Sequence, residues 1–158
     1  MNASTATRRP AAKKDESSEI GIAAFWRFSF NRELLKDSER LQQIKAGFPA
    51  SLVQALRQTF DLQERSVETL LNASISTLER RRREQKNLDS VASERIDRIA
   101  TVSHLAEEVF EDKANAAQWM SMPNKALGGI APIMLCETEI GARQVRRVLH
   151  ALEWGGAA

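Results

Sequence analysis

Apolar side chains recur at intervals of three and four residues along most of this chain. Between residues 89 and 112 they form one continuous stripe, which predicts a long helix that packs one face against a core. Asp89 can cap the start of that helix. The stripe consists of Ala92, Ile96, Ile99, Ser103, Ala106 and Phe110, and Val102, Leu105 and Val109 widen it.

Gly and Pro interrupt the helical pattern only near its two ends. All seven Gly and all four Pro lie outside residues 50–122, whereas a sheet would need turn residues between its short strands. Leu, Ala, Glu, Arg and Gln are frequent and Tyr is absent, which also favours helix over strand. We therefore predict an all-α protein with a helical N-terminal segment, a central helical bundle and a small helical C-terminal domain.

The N-terminal part of the chain divides into a polar tail, an aromatic cluster and short helices. Residues 1–19 are rich in Ser, Thr, Ala and charge, which predicts a disordered tail. Residues 20–30 hold four aromatic side chains outside the regular helical pattern. Such a cluster is expected to be buried. Either docking on the core of the same chain or pairing with a second copy would bury it. Asn31 is expected to cap a helix that ends at Gly47, and Pro49 to open the next one.

Residues 63–86 show a short helix, a break and a second helix. Asn72 tolerates the left-handed conformation that a tight turn requires, and Ser74 can cap the second helix. Small hydroxyls and arginines then occupy its outward positions, and these side chains contact the phosphates and base edges of DNA. The sequence therefore predicts a helix-turn-helix. Its predicted DNA-contacting residues are Ser74, Ser76, Thr77, Arg80, Arg81 and Arg82.

Two features of this segment count against the DNA-binding interpretation. Glu68 occupies a packing position between the two helices where a small residue is expected. Either this glutamate lies at the rim of the helix pair, or the first helix is displaced. Glu79 and Glu84 partly offset the arginines, so the run is also compatible with the solvated face of a bundle helix.

The C-terminal part of the chain contains several short motifs in a fixed order. A helix with Trp119 is followed by Asn-Lys-Ala-Leu-Gly-Gly at 124–129, Pro-Ile-Met-Leu at 132–135 and Thr-Glu-Ile-Gly-Ala at 138–142. Over residues 116–155 this order resembles the toxin-binding domain of the Xre/MbcA/ParS antitoxin family. The upstream layout, a helix, Gly-Phe-Pro and then the helix-turn-helix, is similar to members with an Xre-like DNA-binding part.

The resemblance implies an antitoxin of a type II toxin-antitoxin system. Such a protein binds a cognate toxin, often a RES-type enzyme that acts on NAD, and represses its own operon. In some relatives the C-terminus reaches into the active-site cleft of the toxin. The predicted toxin-binding residues include the segment that matches this C-terminus, Trp154, Gly155, Gly156, Ala157 and Ala158. They also include Arg143, and Ile130, which stands where the family commonly has a polar residue.

These observations together define the expected organisation of the chain. We expect a tail at 1–19, an N-terminal helical and dimerisation segment at 20–48, a DNA-binding domain at 49–112 and a toxin-binding domain at 113–158. A homodimer is expected because helix-turn-helix proteins usually bind paired half-sites. We expect residues 20–47 to form the dimer interface.

Composition and charge narrow the class of protein. The net charge is only +2, but residues 87–112 are strongly acidic and the rest is mildly basic, which indicates two surfaces with different partners. The single cysteine, Cys136, excludes an internal disulfide and favours the reducing cytoplasm. No apolar run is long enough to span a bilayer, so no membrane association is expected.

An enzyme is the weakest of the candidate classes. His104 has Glu107 and Glu108 nearby, but no second His or Cys completes a metal site. We therefore predict no catalytic residues, no metal and no cofactor. The alternative to an antitoxin is a stand-alone helix-turn-helix transcriptional regulator with a different effector domain.

Overall fold

A computed structural model describes the backbone of residues 8–155 and the side chains of residues 15–155. Within this range it contains nine α-helices, one 3-10 turn and no strand, which confirms the all-α prediction. No helix in this range is both long and apolar enough to cross a bilayer. The helices are α1 (Arg8–Glu33), α2 (Asp37–Ala46), α3 (Ser51–Phe60), α4 (Glu64–Leu71), α5 (Ile75–Arg83), α6 (Ser90–Phe110), α7 (Lys113–Ser121), α8 (Pro132–Leu135) and α9 (Glu139–Glu153), and the 3-10 turn is Lys125–Leu127.

Helix α6 is the central element of the fold. Helices α1, α2, α4, α7 and α9 all pack against it, and its inward residues Ile96, Ile99 and Val102 are fully buried. The Asp89 carboxylate accepts a hydrogen bond from the backbone N–H of Ala92 at 2.8 Å. The predicted cap and the predicted apolar stripe of this helix are therefore both confirmed.

Helix α1 is longer than the sequence pattern indicates. It includes residues 8–19, for which we predicted a disordered tail, and residues 20–30, which we placed outside the regular helices. Both expectations are wrong for these residues, and residues 1–7 lie outside the described range. Asn31 lies within α1, and α2 begins at Asp37 with Lys36 as its N-cap.

Tertiary packing explains why residues 20–30 are helical. Phe25 is fully buried and Trp26 is 2% exposed. The Phe25 ring meets the ring of Phe60 on α3 edge to face, with centroids 5.2 Å apart. Aromatic packing of this kind stabilises a helix whose local pattern is weak. Of the two alternatives for the aromatic cluster, docking on the core is the one observed, although Phe30 is 52% exposed.

Helices α2 and α3 begin and end close to the expected residues. The N–H of Gly47 donates to the carbonyls of the last turn of α2, which confirms the predicted stop. Pro49 lies two residues before α3 rather than within it, because Ala50 occupies the N-cap position. Val53, Leu56 and Phe60 are buried against α1 and the rest of the core.

A buried ion-pair cluster joins α1, α2 and α6. The Asp97 carboxylate lies 2.8 Å from Nε of Arg32 and 2.5 Å from Nη2 of Arg40. Asp97 is 4% exposed and Arg32 is 3% exposed. The Arg32 guanidinium also lies over the rings of Phe28 and Phe48, at 5.1 and 4.9 Å from their centroids. The hydrogen bond to Asp97 raises the pKa of Arg40, so Arg40 remains charged.

Candidate interaction surfaces

Helices α4 and α5 form the predicted helix-turn-helix. Asn72 adopts the left-handed conformation, with φ 52° and ψ 47°. The Ser74 hydroxyl accepts a hydrogen bond from the N–H of Thr77 at 3.2 Å and caps α5. Leu71 and Leu78 are buried and hold the two helices on the core. The predicted turn and cap are therefore confirmed.

The structure explains the unexpected Glu68. Its carboxylate accepts a hydrogen bond from the backbone N–H of Ile75 at 2.8 Å. This N–H belongs to the first turn of α5, where backbone donors lack helical partners and a negative charge is favourable. Glu68 therefore lies half-buried at the edge of the helix pair and links α4 to the start of α5.

Five of the six predicted DNA-contacting residues lie in α5 and Ser74 is its N-cap, and their local contacts differ. The Ser74 hydroxyl also bonds the hydroxyls of Ser76 and Thr77, at 3.2 and 2.9 Å. Arg81 donates to the backbone carbonyl of Asn87 at 2.8 Å and so fixes the loop before α6.

The remaining two arginines also differ in their contacts. Arg82 pairs with Glu79 at 2.9 Å, and this hydrogen bond lowers the pKa of Glu79. Arg80 is exposed and has no ion-pair partner within 4.0 Å among the described residues. Arg80 is therefore a predicted contact that is both exposed and without an ion-pair partner among the described residues.

A tight turn follows α7 and presents Ile130 to solvent. The Asn124 side chain accepts a hydrogen bond from the N–H of Ala126 at 2.9 Å, and its backbone carbonyl accepts one from Gly129 at 2.8 Å. Gly128 and Gly129 have φ values of 70° and 80°, a conformation that disfavours other residues. Ile130, which we predicted as a partner contact because the family commonly has a polar residue there, is 47% exposed.

The start of α9 packs directly against the end of α8. The Thr138 hydroxyl caps α9 by accepting a hydrogen bond from the N–H of Gly141 at 3.0 Å. A Cβ atom at Gly141 would lie 2.0 Å from the backbone carbonyl oxygen of Leu135. Only glycine permits this contact, so the Thr-Glu-Ile-Gly-Ala motif has a direct structural role.

One face of α9 is solvent-exposed and begins and ends with a large apolar residue. Ile140 is 67% exposed and Trp154, just after the helix, is 84% exposed. At 1.5 Å per residue they are separated by about 21 Å along the helix. Arg143 and Arg147 lie between them at helical spacing, and neither has an ion-pair partner within 4.0 Å among the described residues. We call these four residues the α9 face.

Only part of the α9 face was predicted from the sequence. Arg143 and Trp154 belong to the predicted toxin-binding set, whereas Ile140 and Arg147 do not. The three- and four-residue spacing from Arg143 would have indicated both of them. Gly155 is exposed at the end of α9, and the predicted contact residues Gly156, Ala157 and Ala158 lie outside the described range.

A second apolar surface lies along α1. A groove of about 620 Å³ runs between α1, α3 and α7, with Ile22, Trp26, Phe60 and Ala117 among its lining residues. The large apolar residues exposed on or near α1 and α2 are Ile20, Phe30, Leu34 and Leu41. These side chains form part of the segment for which we predicted pairing with a second copy.

His104 and Cys136 are two interior groups that could carry chemistry. His104 lies 2.9 Å from Glu108 through Nε2, and its ring packs against Phe30. Burial raises the pKa of the Cys136 thiol to about 12, so this thiol stays protonated and is a poor nucleophile. Between residues 15 and 155 no three His, Cys, Asp or Glu side chains cluster as metal ligands.

Comparison with known proteins identifies two family models that match in the same order as the two candidate surfaces. Residues 39–100 match the antitoxin Xre-like helix-turn-helix domain, and residues 105–155 match the antitoxin Xre/MbcA/ParS C-terminal toxin-binding domain.

Relatives that are named antitoxins are similar over most of the chain. Antitoxin Xre of Yersinia enterocolitica is 32% identical over 116 residues, which are 73% of this chain and 78% of the relative. Antitoxin Xre of Pseudomonas putida is 30% identical and covers 78% of this chain and 76% of the relative. The Prs ADP-ribosylating antitoxin of a Sphingobium species is 25% identical and covers 76% of this chain and 81% of the relative.

Proposed function

Because this chain belongs to the Xre antitoxin family, with a helix-turn-helix domain followed by a toxin-binding domain, we propose that it neutralises a cognate toxin by direct binding and represses its own operon. The observation that carries the proposal is that the α9 face is solvent-exposed, apolar at both ends and cationic between them. A second cationic surface, on α5, is available for DNA.

The chemistry of the α9 face is that of a binding surface. Trp and Arg are the residue types that most often dominate the free energy of protein–protein binding. An inhibitor of this kind needs contact area and slow dissociation rather than activated nucleophiles. We therefore propose that the protein acts by binding and not by catalysis.

We further propose that the toxin is a RES-type enzyme that consumes NAD. One relative is named an ADP-ribosylating antitoxin, and ADP-ribose is derived from NAD, so this name supports a partner of that chemistry. In our proposal Trp154 and the following residues enter the active-site cleft of the toxin. The small residues after Trp154 make this segment narrow enough to do so.

Mixing the two purified proteins tests the proposed function. The neighbouring gene product is incubated with NAD, and NAD consumption is measured with increasing amounts of this protein. We expect inhibition that saturates near a fixed molar ratio. Full toxin activity in the presence of excess protein would overturn the proposal and would favour a stand-alone transcriptional regulator.

We propose that α5 binds operator DNA, with Arg80 and Arg81 as phosphate or base contacts. Replacing both with Ala is expected to weaken operator binding and to lower the slope of log affinity against log salt by about two, one for each lost cation. Fluorescence anisotropy with a labelled operator at several salt concentrations measures both quantities.

The matched control for this double variant is R143A/R147A, which removes two cations from the α9 face instead. We expect the control to keep operator affinity and to lose toxin affinity, and the α5 variant to do the reverse. If either variant lowers both affinities together, the assignment of two separate surfaces is wrong.

We propose that the protein is a cytoplasmic homodimer whose interface lies within residues 20–47. The exposed apolar residues of this segment and the adjacent groove support this assignment. Substituting Ile20 and Leu34 with Ser is expected to shift the monomer–dimer equilibrium toward monomer, because it removes apolar area from the dimer interface. Light scattering at micromolar concentration measures the mass, and a wild-type monomer would contradict the proposal.

A further inference from the structure

Two arginines on α6, three positions apart, each bind the C-terminal end of a different helix. Nη1 of Arg95 donates to the backbone carbonyls of Thr69 and Leu70, at 3.2 Å each. These carbonyls belong to the last turn of α4, directly before the turn of the helix-turn-helix. Such carbonyls lack helical partners, and a cation near them is favourable.

Arg98 makes the corresponding contacts with the C-terminal domain. Its Nη1 donates to the backbone carbonyl of Cys136 at 3.0 Å, at the end of α8. Its Nη2 binds the Glu94 carboxylate at 2.6 and 2.8 Å, and its Nε lies 3.6 Å from Glu139 in the first turn of α9. The Arg98 side chain is 11% exposed, so these contacts are largely shielded from water.

The two side chains have no partner in common. Arg95 contacts only the helix-turn-helix among the hydrogen bonds of the described residues, and Arg98 contacts the α8–α9 junction. Neither belongs to the α5 surface or to the α9 face. Any effect of either arginine on partner binding must therefore be indirect, through the helices that it contacts.

We propose that Arg95 and Arg98 are positioning residues, Arg95 for the DNA-binding surface and Arg98 for the toxin-binding surface. Arg95 fixes the end of α4 and thereby the angle at which α5 leaves the turn. Arg98 fixes the end of α8 and the start of α9, and thereby the direction of the α9 face. This assignment rests on the proposed function for its two binding readouts.

Four full-length variants test the proposal, namely R95A, R95K, R98A and R98K. We expect R95A to weaken operator binding about tenfold and leave toxin binding unchanged, and R98A to do the reverse, since each loses hydrogen bonds from a charged donor. Because Arg95 does not contact phosphate in this proposal, R95A should keep the salt dependence of operator binding, unlike the α5 variants.

The lysine variants separate positioning from general loss of stability. One ammonium can bind the adjacent carbonyls of Thr69 and Leu70, so R95K should restore most of the operator affinity. A lysine at 98 cannot satisfy Cys136, Glu94 and Glu139 together, so R98K should restore toxin affinity only in part. Restoration to the same extent at both positions, or at neither, would overturn the proposed geometry.

Amide hydrogen exchange supplies a readout that does not depend on a partner. R95A should accelerate exchange at residues 71–78, and R98A at residues 136–142, with the other segment unchanged in each case. Uniform acceleration in both segments, or equal loss of both affinities in either variant, would overturn the assignment. If the wild-type protein binds neither toxin nor operator, the proposed function fails, and the exchange pattern still decides whether each arginine fixes its own helix.

Discussion

Replacing Asp97 with Ala is expected to lower the free energy of unfolding by about 3–5 kcal/mol. The substitution removes the carboxylate that pairs with both Arg32 and Arg40. Arg32 would remain buried without a counter-charge, and removing one partner of a buried ion pair costs far more than the pair itself contributes. Urea unfolding followed by circular dichroism measures the change.

Asp37 provides the matched control for this substitution. It also pairs with Arg40, at 3.8 Å, but its side chain is 96% exposed. Exposed ion pairs contribute little because water and salt screen them. Asp37→Ala should therefore leave the unfolding midpoint close to that of the wild type. If Asp97→Ala is no more destabilising than Asp37→Ala, the buried cluster does not hold α1 and α2 on α6.

Removing residues 154–158 is expected to weaken toxin binding by about thirtyfold or more, and to abolish inhibition at equimolar concentration. The deletion removes Trp154, the most exposed large apolar side chain of the α9 face. A tryptophan that fills a pocket on a partner commonly dominates the free energy of binding. Inhibition of NAD consumption by the truncated protein, compared with the full chain, measures the loss.

Two further variants identify which part of the segment is responsible. Trp154→Ala retains the full chain length, whereas a deletion of residues 156–158 retains the tryptophan. In our proposal both lose affinity, and the five-residue deletion loses more than either. Operator binding and stability should be unchanged, because the buried residues of α9 end at Leu149. An inhibition constant within twofold of the wild type for the five-residue deletion would refute the role of this segment.

The local features of both surfaces could be predicted from the sequence because adjacent residues determine them. Asn72 and Ser74 define a turn and a cap within three residues, and the structure has both. Thr138 and Gly141 likewise define the start of α9. Backbone conformation and capping depend on short-range hydrogen bonds, so single residues are informative.

The parts that could not be predicted depend on contacts between distant residues. The helical conformation of residues 20–30 depends on packing of Phe25 against Phe60, and nothing near residue 25 indicates that partner. Arg32 and Asp97 are 65 positions apart, so their pairing leaves no local pattern. The role of Arg81 in fixing the Asn87 carbonyl was missed for the same reason, since an arginine run alone indicates only charge.

The boundary between the two family models falls at residues 100–105, inside α6. A recombination event at that boundary would join two halves of one helix rather than two folded units connected by a linker. The hybrid would have to match buried side chains on both sides, among them Ala100 and Ala106. We therefore expect a hybrid of two relatives joined at this boundary to lose stability unless its buried α6 residues match, even where both outer surfaces are kept.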